Sequence, residues 1–201
     1  MSAYPIMLEG SSVMALVVGG GAVATRKVMA LLESGATVRV VAPDVTPALD
    51  AADAANERLH IVRERYDARY LEGALIVVAA TSDHAMNATI ADDARGRLIN
   101  VVTAPHLGNF VTPATHRAGD VVVAVSAGGV PTAAARIRDR VSAKVDARYA
   151  AAVDALAALR RELLDAGENA RWSDATSVLI GSEFCDTVEA GTFDARLAQW
   201  R

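Results

Sequence analysis

The sequence predicts an α/β fold built on a parallel sheet, followed by a smaller helical part. Three observations predict it. The first hundred residues alternate short apolar runs with stretches of helical period, as strand–helix–strand units do. The apolar runs show no polar alternation, so both faces of each strand are covered. A glycine triplet stands where the first run gives way to the first helical stretch.

Residues 13–18 form a short apolar run closed by glycines and read as a buried strand. Over 22–33 apolar residues recur at helical spacing (Val23, Val28, Leu31, Leu32), and Gly35 stops the helix. Residues 37–42 are a second strand, closed by Pro43. Residues 46–56 are alanine-rich and helical, with Thr46 as cap and Pro47 in the first turn. Strands follow at 59–62, 74–80 and 98–102, with a helix over 83–96. Residues 104–119 carry Pro105, Gly108 and Pro113 and no clear period, which predicts a loop with a short strand near Phe110. Residues 121–126 are a strand and 128–131 a turn. From Thr132 the helical pattern runs through Val141, Leu156 and Leu163 to Gly167. That exceeds a usual globular helix, so it is either one long helix or two with a break near Tyr149. Residues 172–201 predict two short helices around Gly181 and Gly191.

Composition bounds the function. A chain of 201 residues, 52% hydrophobic and 22% charged, buries a core without disulfides or metals. Its net charge of −4 excludes a globally basic nucleic-acid binder. The single Cys185 excludes a disulfide framework and a Cys-rich zinc site, and suits a reducing cytoplasm. Residues 1–9 contain no basic residue, which predicts no secretory signal. The longest apolar stretch, 13–24, is broken by three glycines and falls short of the roughly 20 residues of a membrane helix. A soluble, cytoplasmic protein is expected, with no membrane and no nucleic-acid partner. No pair of its four histidines has close metal-ligand spacing, so no preformed metal site is expected.

The glycine triplet is the first chemical signal. Gly19-Gly20-Gly21-Ala22-Val23-Ala24 fits G-x-G-x-x-A between a strand and a helix, the context the dinucleotide fingerprint requires. Gly19 permits the tight turn, Gly21 lets backbone approach a pyrophosphate, and Ala24 lets helix pack on strand. The helix start offers free N–H groups to phosphates. The tip of the second strand reads Ala42-Pro43-Asp44. Asp44 is either the acid that holds an adenosine ribose or a turn residue; with no Arg at the tip, NAD is expected over NADP. Small Ala80 and Thr81 at the end of the fourth strand either leave room for a ligand or pack closely.

Beyond that motif, several blocks occur in the order they have in precorrin-2 dehydrogenases, the dehydrogenase modules of siroheme synthases. They are Tyr4-Pro5-Ile6, Val17 to Gly21 with Ala24, Arg26 and Lys27, Ala79-Ala80-Thr81, Asn100-Val101-Val102 with Pro105, Phe110 with Pro113, and Val123 to Ser126 with Gly128-Gly129. Residues 4–145 resemble this family; the tail is similar only in length and helical character. The resemblance implies an NAD-binding Rossmann domain (1–112), a dimerisation segment (113–149) and a small helical C-terminal domain (150–201), assembled as a homodimer. It implies oxidation of precorrin-2 to sirohydrochlorin with hydride passed to NAD, and in bifunctional members iron insertion as well. It assigns Ala22, Val23, Pro43 and Asp44 to NAD contacts and the Ser126, Gly128, Gly129 turn to the tetrapyrrole cleft.

The chain departs from the family at one position. Where the family pattern has a catalytic carboxylate, this chain has Thr103, whose hydroxyl cannot serve as a carboxylate base. Three consequences stay open: His106 takes over, histidine being a side-chain type suited to acid–base work, hydride transfer needs little acid–base help because NAD carries the chemistry, or activity is lost, iron insertion first. From Arg136 to Arg148 five cations face two acids, which is either a solvated helix face or a patch for a polycarboxylate substrate, with Arg136 at a family arginine position. Two other functional classes remain: a non-catalytic NAD-sensing module, and a tetrapyrrole- or metal-binding scaffold without dehydrogenase activity.

Overall fold

The computed structural model describes residues 3–201. Met1 and Ser2, the first residues of the stretch read as lacking a secretory signal, lie outside them. The chain divides into two units, one ending at Thr112 and one beginning at Pro113.

The first unit holds a five-stranded sheet of order β3-β2-β1-β4-β5. Its strands are β1 (Met14–Val18), β2 (Thr37–Val41), β3 (Leu59–Val62), β4 (Ile76–Ala79) and β5 (Leu98–Val101), and every pairing is parallel. The helices are α1 (Ala22–Glu33), α2 (Pro47–Ala55) and α3 (His84–Asp93). The unbroken apolar runs hide a period of two. Ala15 and Val17 of β1 face a core with Ala24 and Val28 of α1 and Leu49 of α2. Leu16 and Val18 face the opposite core, with Val77, Ile90 and Val101. Thr46 caps α2 by accepting from the Leu49 N–H, with Pro47 at the first helical position. From β3 the chain passes through a 3-10 turn, Ala68–Leu71, and returns to the sheet centre beside β1. The strand order therefore reverses between β1 and β4, where open α/β sheets bind ligands at their carboxyl ends.

The second unit begins with an antiparallel hairpin of β6 (Ala114–Ala118) and β7 (Val121–Val125). The helices α4 (Pro131–Ser142), α5 (Ala147–Asp165), α6 (Asn169–Leu179), α7 (Phe184–Glu189) and α8 (Phe193–Leu197) follow. α4 packs on both strands. The other four helices enclose their own core of Leu156, Leu159, Leu163, Leu179, Val188 and Phe193.

Four expectations are corrected. No strand forms at Phe110. There the Asn109 side chain accepts from the Ile99 N–H (2.8 Å) and donates to the Arg97 carbonyl (2.7 Å), and its backbone N–H donates to the Ile99 carbonyl (2.9 Å), so a single residue, not a strand, closes the edge. Within the expected loop, residues 114–118 are instead the strand β6. Its Ala-Thr-His-Arg-Ala sequence has weak strand propensity and acquires its structure from β7. The long helical stretch breaks at 143–146 rather than at Tyr149, because Asp146 caps α5 on the Arg148 N–H (2.9 Å). The His116 Nε2–H donates to the freed Val145 carbonyl (2.7 Å). The tail forms α6, α7 and α8 rather than two helices, with Gly181 and Gly191 in the connections between them.

Candidate functional site

The glycine turn is clamped on two sides. Gly19 has φ +118°, and a Cβ there would stand 2.5 Å from the Ala80 carbonyl oxygen and 3.1 Å from the Thr81 nitrogen. Only glycine joins a left-handed backbone to so close an approach. A Cβ on Gly20 would stand 2.0 Å from the Asp44 carbonyl oxygen. The Thr46 N–H donates to the Gly20 carbonyl (3.0 Å), and the hydroxyls of Thr25 and Thr46 lie 2.8 Å apart. Gly19 and Gly20, the β2–α2 loop with Pro43 and Asp44, and the β4 end with Ala80 and Thr81 thus meet at the carboxyl edge of the sheet. Gly20 received no role in the sequence reading; nothing in a G-x-G-x-x-A pattern marks its middle residue as a contact.

Gly21 differs from its neighbours. A Cβ there would meet nothing within 4 Å. It is the N-cap of α1 and supplies no side chain to the first N–H groups, so those of Ala22 and Val23 have no intrahelical partner. Open space before free N–H groups at a helix start fits a pyrophosphate. Ala24 is fully buried against the sheet. Pro43 and Asp44 are exposed.

Thr103 lies just beyond β5, exposed, and its Oγ1 accepts from the Asn87 Nδ2 (3.0 Å). The same amide holds Thr81, so Asn87 joins two of the predicted site residues across two strand ends. Sequence reading missed Asn87, whose place on the buried side of α3 only the fold reveals. His106 is exposed in a 3-10 turn, Pro105–Leu107. Lys27, on α1, donates to the Thr112 hydroxyl. Burial, and next the charge of Arg26, lower its pKa. A surface depression of about 310 Å³ lined by residues including Ala91, Arg95, Ile99, Leu107 and Asn109 contains none of the predicted site residues.

In the second unit Ser126, Gly128 and Gly129 are exposed between β7 and α4, with φ +54° at Gly128 and +86° at Gly129. Arg136 is exposed on α4 and makes no ion pair among the described residues. Arg138 and Arg148 of the cationic stretch pair with Asp139 and Asp146. Among the described residues no three His, Cys, Asp or Glu side chains gather to hold a metal ion, and no helix is long and apolar enough to cross a membrane.

A parallel sheet with its order reversed beside a glycine turn, and free N–H groups facing open space, defines an NAD(P)-binding protein of the Rossmann class. An NAD(P)-binding family model matches residues 6–114. The siroheme synthase of Methylobacillus flagellatus is 34% identical over 191 residues, covering 91% of this chain and 41% of that protein. The siroheme synthase of Chromobacterium violaceum is 40% identical over 153 residues, 74% of this chain and 32% of its own length. The chain spans about two fifths or less of the length of these curated relatives. The solved structure of SirC, a precorrin-2 dehydrogenase, superposes with a TM-score of 0.81 at 26% identity, covering 98% of both chains. The chain belongs to the NAD(P)-binding family of the siroheme synthases and of precorrin-2 dehydrogenase.

Proposed function

We propose that this chain oxidises precorrin-2 to sirohydrochlorin in siroheme biosynthesis, with NAD as acceptor. The end-to-end likeness to a precorrin-2 dehydrogenase carries the reading, since it extends through both units and not only the nucleotide fold. The substrate loses two hydrogens, one as hydride and one as a proton. NAD, when bound, supplies the hydride acceptor. The chain's part is to bind and orient. Gly19, Gly21, Ala22 and Val23 hold the pyrophosphate, Pro43 and Asp44 the adenosine ribose, and Ala80 and Thr81 line the same edge. Ser126, Gly128, Gly129 and Arg136 take the carboxylate-bearing substrate; a guanidinium without an acidic partner among the described residues suits that ligand. Thr103 serves as a hydrogen-bonding group beside the reacting atoms, and His106 is the acid–base group of that loop.

Anaerobic incubation with precorrin-2 and NAD is expected to yield NADH and sirohydrochlorin. No turnover at any protein concentration would sink the reading.

For the arrangement of the chain we propose residues 1–112 as the NAD domain, 113–149 as the segment through which two copies associate, and 150–201 as a separate helical domain. The exposed Val130, Ile137 and Val141 support association of copies, since solvent-facing apolar groups at helical spacing gain by being covered. A reducing cytoplasm is the proposed location, in keeping with a single cysteine.

Thr103→Asp is expected to leave NAD affinity within about twofold, because a carboxylate can accept the same Asn87 proton. It raises iron insertion into sirohydrochlorin more than dehydrogenation, by restoring a negative group that attracts a cation; equal effects on both activities contradict it. Asp44→Ser is expected to narrow the preference for NAD over NADP by about tenfold, since the carboxylate repels a 2′-phosphate. Dissociation constants for the two dinucleotides measure this, and an unchanged ratio removes Asp44 from the ribose site.

A further inference from the structure

Asn87 is 1% exposed and uses its full hydrogen-bonding capacity on two residues. Its Oδ1 accepts from the Thr81 N–H (3.2 Å) and the Thr81 hydroxyl (2.7 Å). Its Nδ2 donates to the Thr81 carbonyl (3.0 Å) and to Thr103 Oγ1 (3.0 Å). A backbone N–H only donates and a carbonyl only accepts, so these partners define which end of the amide is which.

The pairing has a structural meaning. The β4–β5 ladder ends where the Val102 N–H meets the Ala79 carbonyl (3.0 Å). Beyond it the Asn87 amide takes the place of a neighbouring strand for Thr81, the residue packed beside Gly19. The second consequence concerns Thr103. Its oxygen accepts from Asn87, so its own proton is left to donate elsewhere, and the side chain is exposed. The bonds of a buried amide add to stability, and losing them leaves its buried partners unpaired. Its effect is to set two threonines at the ends of two adjacent strands.

We propose that Asn87 is a positioning residue that holds Thr81 at the cofactor edge and turns the Thr103 hydroxyl outward as a donor to the reacting substrate. The proposal rests on the NAD reading above. It adds that Thr103 works as an oriented donor rather than as a substitute base.

The test replaces Asn87 in the full chain and measures NAD dissociation constants where circular dichroism shows the variants folded. Asn87→Leu removes every hydrogen bond without adding charge and is expected to weaken NAD about tenfold at all pH, roughly the worth of one to two hydrogen bonds. Asn87→Asp keeps the acceptor, and when protonated it also keeps a donor. Its NAD affinity is expected close to wild type near about pH 5 and about tenfold weaker near about pH 8, where the anion has no proton to give. Asp83 caps α3 on the Ala85 and Met86 N–H groups and is present unchanged in all variants. Where Asn87→Leu does not fold, the neutral Asn87→Ser replaces it. Wild-type NAD affinity in the neutral variant, or in Asn87→Asp near about pH 8, overturns the proposal.

The link to Thr103 has its own readouts. In isotope-labelled protein one of the two Asn87 amide proton signals is expected to move in Thr103→Val, and an unmoved pair refutes the link. With precorrin-2, Asn87→Asp and Thr103→Val are expected to lower kcat non-additively, as residues acting in one unit do; full additivity counts against it. A wild-type chain that binds NAD without oxidising precorrin-2 refutes the proposed function, while the NAD and resonance measurements still decide Asn87.

Discussion

Replacing Gly20 by alanine is expected to destabilise the first unit and to abolish measurable NAD binding. The new methyl would stand 2.0 Å from the Asp44 carbonyl oxygen and 2.8 Å from the Val45 Cα. Both are backbone atoms, so no side chain can rotate out of the way. Relief requires the β2–α2 loop to withdraw, which breaks the Thr46 to Gly20 hydrogen bond and moves Asp44 from the position proposed for ribose binding. Overpacking of this kind costs about 1–3 kcal/mol or more. Gly21→Ala is the contrasting variant. Its φ is −79° and its Cβ would meet nothing, so the melting temperature is expected unchanged. Yet the methyl enters the space a pyrophosphate would fill, and NAD affinity falls by about tenfold or more, as a lost phosphate contact would give. Thermal melts and NAD titrations of both variants check this. Normal melting in Gly20→Ala, or normal binding in Gly21→Ala, contradicts it.

Leu159→Ala is the second large effect, and it falls on stability alone. Leu159 is fully buried at the centre of α5, in a core with Leu156, Leu163, Leu179 and Phe193. Truncation there costs about 3 kcal/mol, from lost transfer energy and the cavity left behind. In a unit of this size that lowers the melting temperature by about 15 °C. The helical core shares no residue with the two cores of the sheet. NAD binding of the variant at low temperature is therefore expected within about twofold of wild type. A melt unchanged by the substitution contradicts the packing role of Leu159, and a parallel loss of NAD binding would show that the cores are not separate.

The glycine turn was legible because a strand, a tight turn and a helix start are local events. Residues within a few positions dictate them, and glycine is read by its backbone alone. The cap at Thr46 was local in the same sense. The strand β6 was not legible. Its residues carry no apolar period, and what makes it a strand is β7 across a two-residue turn. Phe110 misled for the opposite reason: an aromatic has strand propensity, but Asn109 already holds the Ile99 N–H and carbonyl at the β5 edge.

The site divides along the same line. The amino-acid sequence alone was enough for an α/β nucleotide fold and for a glycine turn at a helix start. Those follow from backbone freedom, period and residue chemistry, all of which are properties of short segments. Only the tertiary structure decided that Gly20 is held against the loop of Asp44, and that Asn87 joins Thr81 to Thr103. Both depend on how the sheet brings distant segments together. A buried amide declares its role only through its partners, and the partners of Asn87 lie at the ends of two strands on either side of its helix in the chain.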